Sequence, residues 1–143
     1  FRRVLFRSAS KAIIYALKKD GFNEIKIFNR SSEKTEHLKK EKNIKIINKE
    51  NLLKELKETD IVINTTPTNV LEGLEVNKKE LNIFACDIVY TPKETKFLSM
   101  FKEEKRIYGI YMLVYQAAPC FEEWFGVKPE ADQGLFDLLE GLI

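Results

Sequence analysis

Glu24-Ile25-Lys26-Ile27-Phe28-Asn29-Arg30-Ser31 decides how this chain is read. The first four residues alternate polar and apolar, with β-branched isoleucines, and apolar Phe28 follows, which is the pattern of a short strand. The strand runs straight into Asn-Arg-Ser. In a dinucleotide-binding fold, a strand one helix downstream of the first βα turn ends beside the adenosine ribose. An acid there hydrogen-bonds a free 2′-hydroxyl. An arginine flanked by a hydroxyl residue suits a 2′-phosphate instead. The stretch therefore predicts an α/β dinucleotide fold and NADP as the dinucleotide. The glycine loop such folds carry one helix upstream is absent, and Phe1–Ser8 stands in its place.

Working outward, strands and helices alternate. Ala12, Ile13, Tyr15, Ala16 and Leu17 form a helical apolar face that starts near Ala9 and is closed by Gly21. After the strand Glu24–Phe28, Ser31 or Ser32 can cap a helix reaching about Lys42, with Glu33 in its first turn. Lys45–Ile47 reads as a third strand, and Asn48 or Asn51 opens a helix ending near Glu58. Asp60–Asn64 is a continuous apolar strand of the kind buried on both faces of a parallel sheet, and Ile83–Val89 is another. Helices are expected over Glu94–Lys105, Ile110–Phe125 and Asp132–Leu142, with a last short strand at Arg106–Tyr108. This alternation specifies a doubly wound parallel sheet, a Rossmann-like α/β domain with C-terminal helices. Right-handed crossovers bring the C-terminal ends of the strands to one edge, where ligands bind. Ser8–Lys11, Asn29–Ser32, Asn64–Thr68, Asp87–Thr91 and Gly109 are expected there.

Length and composition bound the rest. The chain has 143 residues, 44% hydrophobic and 32% charged, the profile of one globular domain with a real core. A formal net charge of +2 argues against a dedicated nucleic-acid or membrane-surface binder. No apolar run approaches the ~20 residues of a membrane span. Cys86 falls in an apolar strand and Cys120 on a helix, without metal or redox spacing, so both read as reduced structural thiols. The single His37, within His-Leu-Lys-Lys, reads as part of a charged surface.

Residues 1–8, FRRVLFRS, are basic and short, without the apolar region and cleavage site of a secretory signal. They match, residue for residue, the translation of a common sequencing-adapter tail. They are expected to be a non-native tail in place of the glycine loop, with residues 9–143 forming the nucleotide domain. As a pattern alone, Arg3-Val4-Leu5-Phe6 also imitates a first strand.

Four segments carry chemistry. In Asn29–Lys34, Arg30 offers a planar fork for adenine and phosphate, Ser31 and Ser32 add hydroxyls, and Lys34 adds a point charge. The same residues also suit a plain helix-capping turn. In Asn64-Thr65-Thr66-Pro67 a strand stops in hydroxyl residues and a fixed turn, either under a ligand or as an ordinary exit. Asp87 interrupts an apolar strand and needs hydrogen-bond partners if buried, and Tyr90 emerges at the strand end as a ligand group or a half-buried aromatic. Gly109 lets backbone approach a flat ring closely. Gln116 lies deep in an apolar helix, where it must satisfy both amide ends from a substrate hydroxyl or from neighbouring backbone. Phe121 and Trp124 read as core or interface packing.

Together and in this order, these segments resemble the C-terminal NADP-binding domain of the shikimate dehydrogenase family, from about Ala9 to the C-terminus. Ala9-Ser10-Lys11-Ala12 fits the tail of the family's glycine loop. NRSSEK fits its phosphate clamp, and Asn64-Thr65-Thr66-Pro67 its turn. DIVYTPKET, from Asp87 to Thr95, and GIYMLVYQAAPCFEEWFG, from Gly109 to Gly126, fit its later signatures. The resemblance implies NADP-dependent interconversion of 3-dehydroshikimate and shikimate in aromatic amino-acid biosynthesis, in the cytoplasm, by a monomer or homodimer. It implies cofactor contacts from Ala9, Asn29, Arg30, Ser31, Lys34, Thr65, Thr66, Ile88 and Gly109. It implies substrate hydrogen bonds from Tyr90 and Gln116.

The family's catalytic Lys and Asp belong to an N-terminal substrate domain that this sequence does not contain. The glycines that approach the pyrophosphate are replaced by Leu5-Phe6-Arg7-Ser8. The isolated chain is therefore expected to be inactive. Leu113, Phe121, Trp124, Leu135, Leu138 and Leu139 would be partly exposed. An NAD-using quinate/shikimate dehydrogenase and a folate-linked dehydrogenase are alternatives. Arg30 speaks against the first, and DIVYTPKET with Gln116 against the second. A non-catalytic nucleotide module remains a different class.

Overall fold

The computed structural model describes residues 2–30, 32–77 and 81–142, with side chains from residue 9 onward apart from those of 32–34 and 37. The side chains of Ser31, Lys34 and His37, to which the sequence assigns roles, thus lie outside the described residues. The chain divides into two compact units, Phe1–Thr59 and Asp60–Ile143.

The first unit begins with helix α1 (Arg2–Lys19), longer at its start than the apolar pattern predicts. It ends where expected. Gly21 takes the left-handed conformation at φ 85°. The Phe22 N–H bonds the Leu17 carbonyl at 3.0 Å and the Gly21 N–H bonds that of Lys18 at 3.2 Å, a Schellman closure. Strands β1 (Ile25–Phe28) and β2 (Ile44–Ile47) pair in parallel, with Ile25 and Ile47 buried. The segment between them, Ser32–Lys40, winds as a 3₁₀ helix where an α-helix is expected. Its sequence carries one leucine, so little apolar packing favours the wider turn. Neither Asn48 nor Asn51 caps the next elements through its side chain. Helix α2 (Leu52–Lys57) is held instead by burial of Leu52 and Leu56.

Charge explains the rest of this unit. The register sets Lys26 of β1 directly beside Lys45 of β2, a like-charge pair that repels. Glu55 of α2 lies 2.9 Å from Lys26 and 2.6 Å from Lys45. The Lys45 and Lys26 ammonium groups hold its carboxyl at about 2, well below the usual carboxylate range.

In the second unit, β3 (Ile61–Asn64), β4 (Phe84–Asp87) and β5 (Arg106–Ile107) form a parallel sheet in that order. Ile61 to Ile63 are half-buried, so β3 is less enclosed than its apolar run predicts. The expected helix over Glu94–Lys105 is replaced by two 3₁₀ turns, Leu98–Met100 and Glu103–Lys105. Phe97, Leu98 and Phe101 fill the core with Phe97 and Phe101 rings 5.2 Å apart, and the backbone turns extended at Phe101. Two Arg106 guanidinium nitrogens, Nε at 3.2 Å and Nη2 at 2.9 Å, donate to the Phe101 carbonyl, which ends helical winding there.

Helix α3 (Gly109–Phe125) stops at left-handed Gly126, and α4 (Gln133–Glu140) is capped by Asp132, which accepts the Leu135 N–H at 2.9 Å. Ile110, Val114 and Phe136 form their shared core. The outer side of α3 is bare: Trp124 is 77% exposed, and Phe121 and Phe125 are also exposed, as is Leu138 of α4. Phe121 and Trp124 are therefore not core in this chain, whereas Leu113, Leu135 and Leu139 pack partly against the cluster. An open cleft of about 290 Å³ between these helices is lined chiefly by apolar residues, among them Leu113, Ala117, Phe121 and Leu139.

The parallel strands thus form a pair and a triplet. In the usual doubly wound order, the strand ahead of the first helix lies in the middle of the sheet. Here the described residues ahead of Ala9 continue α1 instead.

Candidate functional site at the strand ends

Asn64 and Asp87 are the last residues of β3 and β4, and the parallel register sets them side by side. Both are buried. Asn64 Nδ2 donates toward the Asp87 carboxylate at 3.2 and 3.3 Å, and toward the Thr66 and Thr68 carbonyls at 3.2 Å each. Its Oδ1 accepts the Thr66 N–H at 3.1 Å and lies 2.8 Å from the Thr66 hydroxyl. One side chain therefore folds the turn after β3 back on itself and ties it to β4. The Thr66 hydroxyl expected to stiffen this turn does so through Asn64.

Asp87 has the partners that burial demands. Besides Asn64, the Val89 N–H donates at 3.1 Å and the Thr95 hydroxyl at 2.7 Å. Thr95 in turn accepts the Leu98 N–H at 3.2 Å, so the network reaches the next turn. The signal for Asp87 was visible as an acid in an apolar strand. Asn64 and Thr95 fall within the Asn64-Thr65-Thr66-Pro67 and DIVYTPKET segments, but the sequence carries no sign that they pair with Asp87.

Gly109 opens α3 against this strand end. A Cβ there would lie 2.5 Å from the Val89 carbonyl oxygen, 2.7 Å from its carbon and 2.8 Å from the Asp87 oxygen. The close approach is to protein backbone, and it requires glycine for space. Ile88 donates its N–H to the Asn64 carbonyl at 3.1 Å, extending the ladder by one bond. Tyr90 follows at the surface, 41% exposed. Lys93 is paired with Glu140 of α4 at 2.5 Å and lies over the Tyr108 ring, and the Glu140 bond raises its pKa.

The remaining expected residues are dispersed among local settings. Arg30 is exposed and Asn29 half-buried at the end of β1. Ala9 lies within α1, where its backbone is in helical geometry. Thr65 and Thr66 are half-buried in the turn after β3. Gln116 corrects the expectation of burial: it lies on the exposed side of α3 beside exposed Tyr115. Cys120 is exposed as well, whereas burial and then the Asp87 charge push the Cys86 thiol up to about 11. No group of three or more metal-ligating side chains occurs among the described residues. Among the described residues, no helix is long and apolar enough to cross a membrane.

Parallel strands alternating with helical segments over most of the chain define a doubly wound α/β protein of Rossmann type. The family model of shikimate / quinate 5-dehydrogenase matches residues 8–91. The shikimate dehydrogenase (NADP(+)) of Methanococcus maripaludis is 40% identical over 85% of this chain and 48% of its own length. That of Bartonella tribocorum is 34% identical over 89% of this chain and 48% of its own. The shikimate 5-dehydrogenase of Listeria monocytogenes, solved in complex with shikimate and NAD, superposes with a TM-score of 0.66 at 29% identity, over 84% of this chain and 48% of that one. The chain belongs to the shikimate / quinate 5-dehydrogenase family. It spans about half the length of the curated relatives it matches.

Proposed function

We propose that this chain is the NADP-binding part of a shikimate dehydrogenase, which reduces 3-dehydroshikimate to shikimate in the cytoplasm. The observation that carries the reading is the ligand-edge geometry of the second unit. Two strand ends stop level, tied by Asn64 and Asp87, and Tyr90 emerges beside them.

The residues present fit the cofactor's parts unequally. Arg30 is an exposed guanidinium at a strand end with no acid beside it in sequence, which suits a 2′-phosphate and not a free 2′-hydroxyl. Ser31 and Lys34 add a hydroxyl and a charge, and Asn29 orients the turn. The pyrophosphate is served less well, because Ala9 lies inside a helix and contributes no free N-terminal amide. Thr65 and Thr66 flank the dinucleotide from the turn after β3. The backbones of Ile88 and Gly109 meet its nicotinamide end, and Tyr90 and Gln116 hydrogen-bond the substrate.

The bound NADPH supplies the hydride. This chain's own groups bind and orient, and none is assigned to proton transfer. The family's Lys and Asp for that step lie in the half these residues do not include. The isolated chain is accordingly inactive, and turnover of shikimate by it would refute this.

Calorimetric titration with NADP⁺ and NAD⁺ tests the reading. It is run on this chain and on a version whose Phe1–Ser8 is replaced by a strand with Gly-Ala-Gly-Gly. The expected result is preference for NADP⁺, tighter in the repaired version. Absence of binding in both versions would reduce Asn29–Lys34 to a capping turn.

A further inference from the structure

Asp87 is a buried carboxylate, 1% exposed, to which no role above is assigned. Every partner it has is a donor: the Asn64 amide, the Val89 N–H and the Thr95 hydroxyl. An ionised carboxylate accepts from all of them, whereas a carboxamide would face a donor with its own NH₂. Charge-assisted bonds of this kind are the stronger ones, and they fix direction. Their geometry is specific. Oδ1 takes the amide two residues on, which bends the chain out of β4 immediately after the strand. Oδ2 takes Thr95, which anchors the far side of the loop that carries Tyr90. Gly109 then packs directly on the carbonyls of Asp87 and Val89.

We infer that Asp87 is a positioning residue: through Val89, Asn64 and Thr95 it holds the Ile88–Tyr90 backbone in the shape that receives the nicotinamide. The inference rests on the proposal that Ile88 and Gly109 meet that end of the cofactor. A segment fixed before the ligand arrives loses little freedom on binding, so its affinity contribution is kept.

The test separates the two ends of the cofactor. Adenosine 2′,5′-bisphosphate carries the 2′-phosphate but no nicotinamide, so it reads the Arg30 end alone. Its binding and that of NADPH are measured on this chain and on Asp87→Asn, Thr95→Val and Thr95→Ser, each checked for folding by circular dichroism. Asp87→Asn and Thr95→Val are expected to weaken NADPH about tenfold, the effect of one lost hydrogen bond to a charged group. Bisphosphate binding stays at the wild-type value, and Thr95→Ser, which keeps the hydroxyl, behaves as wild type. If Asp87→Asn does not fold, the Thr95 pair decides. Equal losses of both ligands, or no loss of either, overturn the positioning role, because a general loosening would not discriminate between them. Wild-type NADPH binding no tighter than the bisphosphate also overturns it. If only the version with Phe1–Ser8 replaced binds the two ligands, the same variants are compared in that version; if neither version binds either ligand, the cofactor reading itself is overturned, and this inference with it.

Discussion

Gly109→Ala adds one methyl group and sets two effects of opposite sign against each other. Alanine favours a helix over glycine by up to about 1 kcal/mol, and Gly109 is the first residue of α3. Propensity alone would make the variant more stable. The added carbon, however, would sit 2.5 to 2.8 Å from three backbone atoms of Val89 and Asp87. Carbon atoms rest at about 3.5 to 4.0 Å from their neighbours, so helix and strand end must separate by about 1 Å. That strand end cannot yield cheaply, because Asn64 and Thr95 hold Asp87 from two sides. Overpacking a fixed site costs about 1–3 kcal/mol, and the upper part of that range applies. A net loss of about 2 kcal/mol lowers the melting temperature by about 8 °C in a chain of this size. Gly134 is the control, since it also lies in the first turn of a helix. Its Cβ would meet nothing closer than 3.5 Å, so Gly134→Ala should be neutral or stabilising. Thermal melts followed at 222 nm compare the three proteins. A Gly109→Ala variant that melts at or above wild type would refute the reasoning.

Three other outcomes follow from the same contacts. Glu55 titrates at about 2 when folded against 4.5 ordinarily, so the unfolded chain takes up the proton first as pH falls. Its contribution is complete above pH 4.5 and is lost as the pH drops towards 2; Glu55→Gln should therefore flatten that part of a stability-versus-pH curve, and an unchanged acid limb would exclude the Lys26–Glu55–Lys45 cluster. Cys86, held near 11, carries about one thiolate in a thousand at pH 8. Iodoacetamide should modify exposed Cys120 well before it, as peptide mapping would report, and equal labelling would contradict the burial. Trp124→Glu with Leu138→Glu should reduce self-association in sedimentation without lowering the melting temperature, because both side chains are largely solvent-exposed. A large drop in melting temperature would show that they pack.

The strands were legible because each carries its own pattern. Ile25–Phe28, Ile61–Asn64 and Phe84–Asp87 fall within the apolar runs that name them. So was the closure of α1, where glycine in the left-handed region leaves a local mark. Elements set by distant partners were not. Nothing in Glu94–Lys105 announces that Arg106 will cap the Phe101 carbonyl and cut a helix into two turns. A polar residue in an apolar helix suggests burial, yet Gln116 faces solvent, because the apolar character of α3 covers sides that pack and sides that do not. At the candidate site, the acid of Asp87 stood out against its strand. The amide and hydroxyl that satisfy it lie 23 and 8 residues away, and ordinary spacing rules do not reach them.

The Asn64–Asp87 tie also alters how the sheet comes apart. Where strands end, backbone pairs ordinarily open first, and their amides exchange with solvent soonest. In β3 and β4 the last residues are the ones cross-linked by buried side chains, while β3 begins in half-buried positions at Ile61. Opening should therefore run from the N-terminal ends inward, and the C-terminal edge should be the most persistent part of the sheet. Deuterium would enter at Val62 and Ala85 before it reaches Asn64 and Asp87. The sheet thereby keeps its least labile backbone at the strands' C-terminal ends and lets the opposite end breathe.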